Sequence, residues 1–96
     1  MSAQKAEEME DRFLDFAVRV GAVVDALPDT RLGRHIGGQL VRCGTSTAPN
    51  YGEADAAESK NDFIHKLGIV FKELREGRIW IKMIIKARLL PGKRMS

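Results

Sequence analysis

The chain has 96 residues, of which 44% are hydrophobic and 30% are charged, and its net charge is +3. This length predicts a single domain, and the composition is typical of a globular protein rather than a disordered one. A single cysteine, Cys43, excludes an intrachain disulfide. The polar, acidic N-terminal segment is not expected to act as a signal peptide, and no apolar run approaches the ~18 residues that cross a bilayer. These features predict a cytoplasmic protein without a membrane partner.

The charges are distributed unevenly along the chain. Residues 1–30 carry three basic and seven acidic side chains, whereas residues 61–96 carry nine basic and three acidic ones. Two interpretations are open. The acidic first helix could attract the basic last helix, within a bundle or between subunits, or the last helix could present a face that binds polyanions.

The first predicted helix spans about residues 9–27 and ends at Pro28. Its apolar residues recur at steps of four and three, which is typical of a helix with one buried face. They are Phe13, Ala17, Val20, Val24 and Leu27. Acidic residues at 7, 8, 10 and 11 cluster at its start, where they would favour the positive end of the helix dipole. Asp29 or Thr30 can cap the helix that follows.

The second predicted helix spans about residues 31–57, but its middle is ambiguous. The segment 44–50, Gly-Thr-Ser-Thr-Ala-Pro-Asn, has the composition of a loop. A column of small residues argues for continuation, because it would let a neighbouring backbone approach closely. The column consists of Gly37, Gly44, Ala48 and Gly52. If the helix continues, the hydroxyls at 45–47 can bond back to preceding carbonyls and Pro49 should kink it.

The third predicted helix spans about residues 59–90, with Ser59 as its N-cap and Pro91 and Gly92 after its end. One face is apolar and carries Phe63, Leu67, Val70, Leu74 and Ile81. A second face carries four basic residues at steps of three, four and four, which form a cationic stripe. This basic stripe consists of Arg75, Arg78, Lys82 and Lys86.

The basic stripe is the primary candidate for binding nucleic acid, because lysines and arginines along a rigid helix can neutralise successive phosphates. The secondary candidates are Arg34, Arg42, Lys60 and Lys66. For each of these residues the alternative is a solvated side chain or one in an ion pair between subunits. Tyr51 and Trp80 could stack on unpaired bases, although packing explains both better. A second apolar strip predicts a subunit contact, and it consists of Ile69, Trp80 and Met83.

The sequence predicts no catalytic residue, no metal site and no cofactor. His35 and His65 have no cysteine, histidine or carboxylate at the spacing of metal ligands. Cys43 follows Arg42, which could lower the pKa of its thiol, but its place on the apolar face favours a small core residue. The glycines form no phosphate-binding loop. Glu53, Glu73 and Glu76 are expected to bond within the bundle, with Asn50, Lys72 or Arg78 as examples of partners.

Residues 33–80 resemble the bacterial four helix bundle protein family, whose members are encoded by intervening sequences in large-subunit ribosomal RNA genes. That family is related to the accessory variability determinant of diversity-generating retroelements. The likeness lies in Gln39-Leu40-x-Arg42, Thr45-Ser46, Glu58-Ser59-Lys60, Phe63-Ile64-x-Lys66-Leu67, and Lys72-Glu73 with Glu76 and Trp80. Including the first helix, it extends over about residues 13–85.

The resemblance implies an all-α, antiparallel up-down helix bundle whose second helix is continuous and kinked near Pro49. It implies a homopentameric ring, and among the retroelement relatives it implies nucleic acid and a reverse transcriptase as partners. Three long helices are present, and the family's fourth helix is short or missing. The apolar surface that a fourth helix would cover is therefore expected to pack against another subunit.

Together these features predict a non-enzymatic, self-associating bundle that binds RNA or DNA through basic helix faces. The competing hypothesis is a structural oligomer or a protein adaptor whose charges serve subunit pairing.

Overall fold

The protein is an all-α bundle in the computed structural model, which describes residues 2–90. Within that range there are three long helices and no strand: α1 (Ala3–Asp25), α2 (Arg31–Asp55) and α3 (Lys60–Lys86). Short connectors reverse the chain twice, so the helices run up, down and up. The bundle measures 44 × 21 × 19 Å. None of the helices in residues 2–90 has the length and hydropathy of a membrane span.

Helix α1 begins six residues before the predicted start at residue 9 and ends before the predicted residue 27. Ser2 caps it, because its Oγ accepts a hydrogen bond from the Lys5 backbone N–H at 3.2 Å. This earlier cap means that the acidic residues expected at the start lie beyond the first turn. The next helix is capped by Thr30, whose Oγ1 accepts from the Gly33 N–H at 3.0 Å. Thr30 is thus the cap, rather than Asp29.

Helix α2 is continuous from Arg31 to Asp55, two residues short of the predicted end at 57, with Pro49 inside it. The loop interpretation of residues 44–50 is therefore wrong. The polar side chains of this segment bond back onto preceding carbonyls. Thr45 Oγ1 donates to the Val41 carbonyl at 2.6 Å, Thr47 Oγ1 to that of Gly44 at 3.0 Å, and Asn50 Nδ2 to that of Ser46 at 2.8 Å. These bonds keep the polar groups satisfied inside a helix.

Helix α3 begins at Lys60, and its predicted cap Ser59 accepts a hydrogen bond from the Asp62 N–H at 3.1 Å. The helix ends at Lys86, four residues before the predicted end. The chain leaves the helix through a left-handed residue, Arg88, with φ 52°. Pro91 and Gly92, which the sequence predicts to end the helix, lie outside the described residues.

The core lies on both sides of α2, because α1 and α3 each pack mainly against that helix and make few contacts with each other. One cluster is centred on Val20, Ile36, Leu40, Ile84 and Leu90. The other is centred on Phe13, Ala48, Tyr51 and Val70. Several seam residues of α3 are only half-buried, namely Phe63, Leu67, Leu74 and Ile81. One side of α3 is therefore apolar and incompletely covered within a single copy.

Candidate nucleic-acid interface

The basic stripe follows one side of α3. At about 100° per residue, its four members lie within roughly 80° of one another around the helix axis, and over eleven residues they extend about 16 Å. All four side chains are exposed. None of them forms an ion pair with another residue of the described range 2–90. The stripe is therefore an uncompensated row of positive charge.

The carboxylates of α3 lie elsewhere on the helix. Asp62, Glu73 and Glu76 are its acidic residues, and helix geometry places each about 80° or more from every stripe member. Arg42 of α2 forms ion pairs with two of them, Glu73 and Glu76. Its Nη1 is 2.9 Å from Glu73 Oε2, and its Nη2 is 3.5 Å from Glu76 Oε2. Because these acids are satisfied by α2, they do not neutralise the stripe.

The secondary candidates differ from the stripe because most of them are paired within the chain. Arg34 bonds Asp29 at 2.7 Å, and Lys66 bonds Glu53 at 3.3 Å. Arg42 is half-exposed, and the neighbouring Glu73 carboxylate is the main cause of the raised pKa of its guanidinium. Only Lys60 of this set, at the start of α3, is exposed without an ion pair inside residues 2–90.

Glu73 is the centre of a polar cluster that joins α2 to α3. Its side chain is only 9% exposed, and its Oε2 accepts from Arg42 and from Ser46 Oγ at 3.2 Å. The glutamates do bond within the bundle as expected, but their partners are Arg42, Ser46 and Lys66 rather than Asn50, Lys72 or Arg78. The cluster fixes the register of the two helices.

Cys43 belongs to the same cluster as a buried thiol. Burial raises its pKa, and this outweighs the opposing effect of the adjacent Arg42. The interpretation as a core residue is confirmed, and the one as an activated thiol is wrong. The Cys43 sulfur and the carboxylates of Glu73 and Glu76 lie within 4.8 Å of one another, which is close enough to share a metal ion. The Arg42 guanidinium contacts all three groups and supplies positive charge there.

The two aromatic residues that could have stacked on bases are used in packing. Tyr51 is buried, and its ring centroid lies 5.3 Å from that of Phe13. Trp80 is half-buried and meets the His35 ring edge-on at 5.8 Å. Phe71 is instead the exposed aromatic residue, one turn before Arg75. Phe71 shares the face of the basic stripe, between Arg78 and Lys82 around the helix axis, and this spacing was a usable signal in the sequence.

An apolar groove borders the stripe. It has a volume of about 430 Å³ and lies between the start of α2 and the end of α3. Its apolar lining is Leu32, Ile36, Ile79, Met83 and Ala87, and Lys82 and Lys86 complete it. Of the predicted subunit contacts, Met83 is exposed in this groove, whereas Ile69 and Trp80 are half-buried. The sequence could not join Leu32 to Ile79, because they are brought together only by packing of α2 on α3.

The fold resembles that of a solved protein over nearly the whole length of this chain. No family model matches the chain, and no curated protein is similar to it at a significant level. Among solved structures, it is similar to a protein of unknown function from the S23 ribosomal protein family of Bacteroides thetaiotaomicron VPI-5482. The TM-score is 0.78 and the sequence identity 31%, and the match covers 94% of this chain and 80% of the other.

Proposed function

We propose that this chain, which belongs to the S23 ribosomal protein family, is a non-enzymatic, self-associating protein that binds RNA or DNA through the basic stripe of α3. The observation that carries the proposal is the stripe itself: four exposed cations on one rigid face, without carboxylate partners in residues 2–90. A polyanion is the ligand that such a surface fits. The cytoplasm, where RNA is available, is the proposed site of action.

Binding would use phosphate neutralisation rather than base recognition. Each cation that meets a phosphate releases counterions, so affinity depends strongly on salt and weakly on sequence. Four contacts per chain set the upper limit, which is a slope of log K against log salt of about −3.6 for duplexes and a loss of roughly 100-fold between 50 and 200 mM salt. A steep salt dependence is therefore the signature of this mode of binding.

Self-association would multiply the stripe without adding new contacts to it. Association of copies of the chain would bury apolar surface that one copy leaves exposed. This surface consists of exposed apolar side chains on α1 and α3 and of the half-buried seam of α3. The resemblance to the intervening-sequence-encoded family adds a homopentameric ring to the proposal, with a reverse transcriptase as a further partner. Several stripes on one assembly would bind one nucleic acid with avidity.

The test is fluorescence anisotropy of a labelled RNA across a salt series. Changing Arg75, Arg78, Lys82 and Lys86 to Gln should reduce affinity at 50 mM salt by about 100-fold and flatten the salt slope. The control variant changes four exposed cations elsewhere to Gln, namely Lys5, Arg12, Arg19 and Arg31. It has the same net charge, and we expect only a small loss of affinity.

Two outcomes would contradict the proposal. An equal loss in both variants would mean that net charge, rather than the stripe, attracts the RNA. Absence of binding by the wild-type chain at 50 mM salt would reject nucleic-acid binding and favour the structural oligomer or adaptor. The apolar groove beside the stripe supports that second function, because it is a surface suited to a protein.

A further inference from the structure

Helix α1 carries an acidic and apolar face that the proposed function does not use. Leu14 and Val18 are exposed on it, one turn apart, and Val18 is 73% exposed. Asp11 precedes them and Asp25 follows them on the same side of the helix. Both carboxylates are exposed and form no ion pair within residues 2–90.

The basic residues of α1 lie away from this face. Lys5, Arg12 and Arg19 are about 100° or more from its centre around the helix axis. The face therefore presents negative charge around an apolar centre, and its charge has no counterpart on α1 itself.

The groove side of α3 has the opposite charge and the same spacings in reverse order. Ile79 and Met83 are exposed one turn apart, and Lys86 follows them. Lys72 lies on the same side of α3, two turns before Ile79 and beyond the groove lining. Fourteen residues separate the two lysines, as fourteen separate Asp11 from Asp25, so each surface extends about 21 Å. Leu32 of α2 widens the apolar centre of the groove.

These two surfaces do not meet within one copy of the chain. Helices α1 and α3 each pack mainly against α2, and none of the charges named above is paired inside residues 2–90. The attraction between an acidic first helix and a basic last helix is therefore not expressed as ion pairs in the bundle. It is available to a second copy.

We propose that the face of α1 formed by Asp11, Leu14, Val18 and Asp25 docks into the groove on α2 and α3 of a second copy. The inference rests on the self-association in the proposed function and assigns the surfaces that make it. In the docked state Lys86 pairs with a carboxylate of the neighbouring copy, so three stripe cations per chain remain for nucleic acid, namely Arg75, Arg78 and Lys82. The apolar centres supply the contact area, and the charged ends orient it and exclude wrong partners. Because the two surfaces differ, the contact is heterologous, and its repetition gives a closed ring or a filament.

Charge reversal tests the pairing directly. One variant carries Asp11→Lys and Asp25→Lys, and the other carries Lys72→Glu and Lys86→Glu. Each variant alone places like charges across the contact, so we expect light scattering at micromolar concentration to report the single-chain mass of 10.7 kDa. All four changes in one chain restore opposite charges at every contact, so this variant should recover the wild-type mass. An equimolar mixture of the two variants restores opposite charges only where the variants alternate. It should form oligomers above the single-chain mass, but an alternating ring of five cannot close.

The control reverses two exposed carboxylates away from this face, with Glu8→Lys and Glu58→Lys, and should keep the wild-type mass. Circular dichroism of each variant checks that the helices remain formed. A wild-type oligomer unaffected by either pair of reversals would overturn this contact and leave self-association standing. A monomeric wild-type chain would instead refute the self-association itself. RNA binding by the Asp11→Lys, Asp25→Lys variant is read separately, because its stripe is intact.

Discussion

The close approach of α1 to α2 depends on the absence of a side chain at Gly44. A Cβ built at this position would lie 2.7 Å from Cγ1 and 2.8 Å from Cβ of Val20. Val20 is itself a buried member of the core and cannot move away freely. Gly38, in the same helix, has no atom within 4 Å of its Cβ position. The two glycines therefore have different reasons to be present.

We expect Gly44→Ala and Gly38→Ala to change stability in opposite directions. Overpacking against Val20 should outweigh the gain in helix propensity at Gly44, for a net loss of about 1 kcal/mol, whereas Gly38→Ala should gain about 1 kcal/mol. Urea unfolding followed by circular dichroism measures both. Equal stabilisation by the two substitutions would mean that the helices separate at no cost.

Burial of Cys43 and Tyr51 gives the fold a dependence on alkaline pH. Burial raises the pKa of both groups, so the folded chain keeps them protonated where the unfolded chain ionises them. Unfolding then releases protons, and the free energy of unfolding should be level below pH about 9 and fall above it, by up to about 1.4 kcal/mol per pH unit for each group.

Comparing urea unfolding at pH 8 and pH 10.5 checks this expectation. Cys43→Ala is the matched variant, because it removes one of the two groups while Tyr51 remains. Its loss of stability between the two pH values should be smaller than that of the wild type. An equal loss of stability in the wild type and in Cys43→Ala would mean that ionisation of the Cys43 thiol does not cause the loss.

At the level of the helices, α3 ends in a C-terminal cap that has arginine where such caps usually have glycine. The Leu89 N–H donates to the Ile84 carbonyl and the Arg88 N–H to that of Ile85, both at 3.1 Å. This pair of bonds is a Schellman motif, and it requires a left-handed residue at position 88, where glycine is usual. Leu90 then folds back into the core.

Arg88→Gly should stabilise the protein by about 1 kcal/mol, because glycine adopts φ 52° without a steric penalty. Ala87→Gly is the control, since Ala87 has φ −83° and gains nothing from glycine. That change should destabilise slightly. The shift in the urea midpoint distinguishes them, and a destabilised Arg88→Gly variant would show that its side chain contributes more than its backbone costs.

Sequence periodicity was sufficient to predict the helices and most of the core, because burial recurs with the helical repeat. Phe13, Val20 and Val70 were each identified in this way. Local signals were less useful at helix ends. Ser59 was predicted as a cap from its residue type, whereas the caps at Ser2 and Arg88 were not predicted. The back-bonding hydroxyls of α2 also reverse their usual preference for loops, since their partners are carbonyls of the same helix.

For the candidate site too, the sequence predicted the features of a single helix but not the contacts between helices. The basic stripe follows from spacing on one helix, so the sequence was enough to identify it. The pairing of Arg42 with Glu73 and the apolar groove require α2 and α3 to be packed together. Contacts between helices depend on which faces meet, and residue spacing on a single helix does not contain that information.

At the scale of the whole molecule, an acidic surface on α1 and a basic surface on α3 are separated, and this should link stability to protein concentration. Unpaired carboxylates lie on α1, unpaired cations lie on α3, and exposed apolar residues accompany both. Assembly that buries these surfaces binds the folded chain and not the unfolded one. It therefore adds a stabilising term that grows with concentration.

We expect the Tm to rise by roughly 4–8 °C for each tenfold increase in protein concentration, because the folded state gains about 1 kcal/mol per chain in a domain of this size. Differential scanning calorimetry at protein concentrations from about 5 to about 500 μM, a range of about two decades, measures this shift in Tm. The Asp11→Lys, Asp25→Lys variant should show a Tm that is independent of concentration. A concentration-independent Tm in the wild type would mean that each copy folds and persists alone, with its acidic and basic faces both left to solvent.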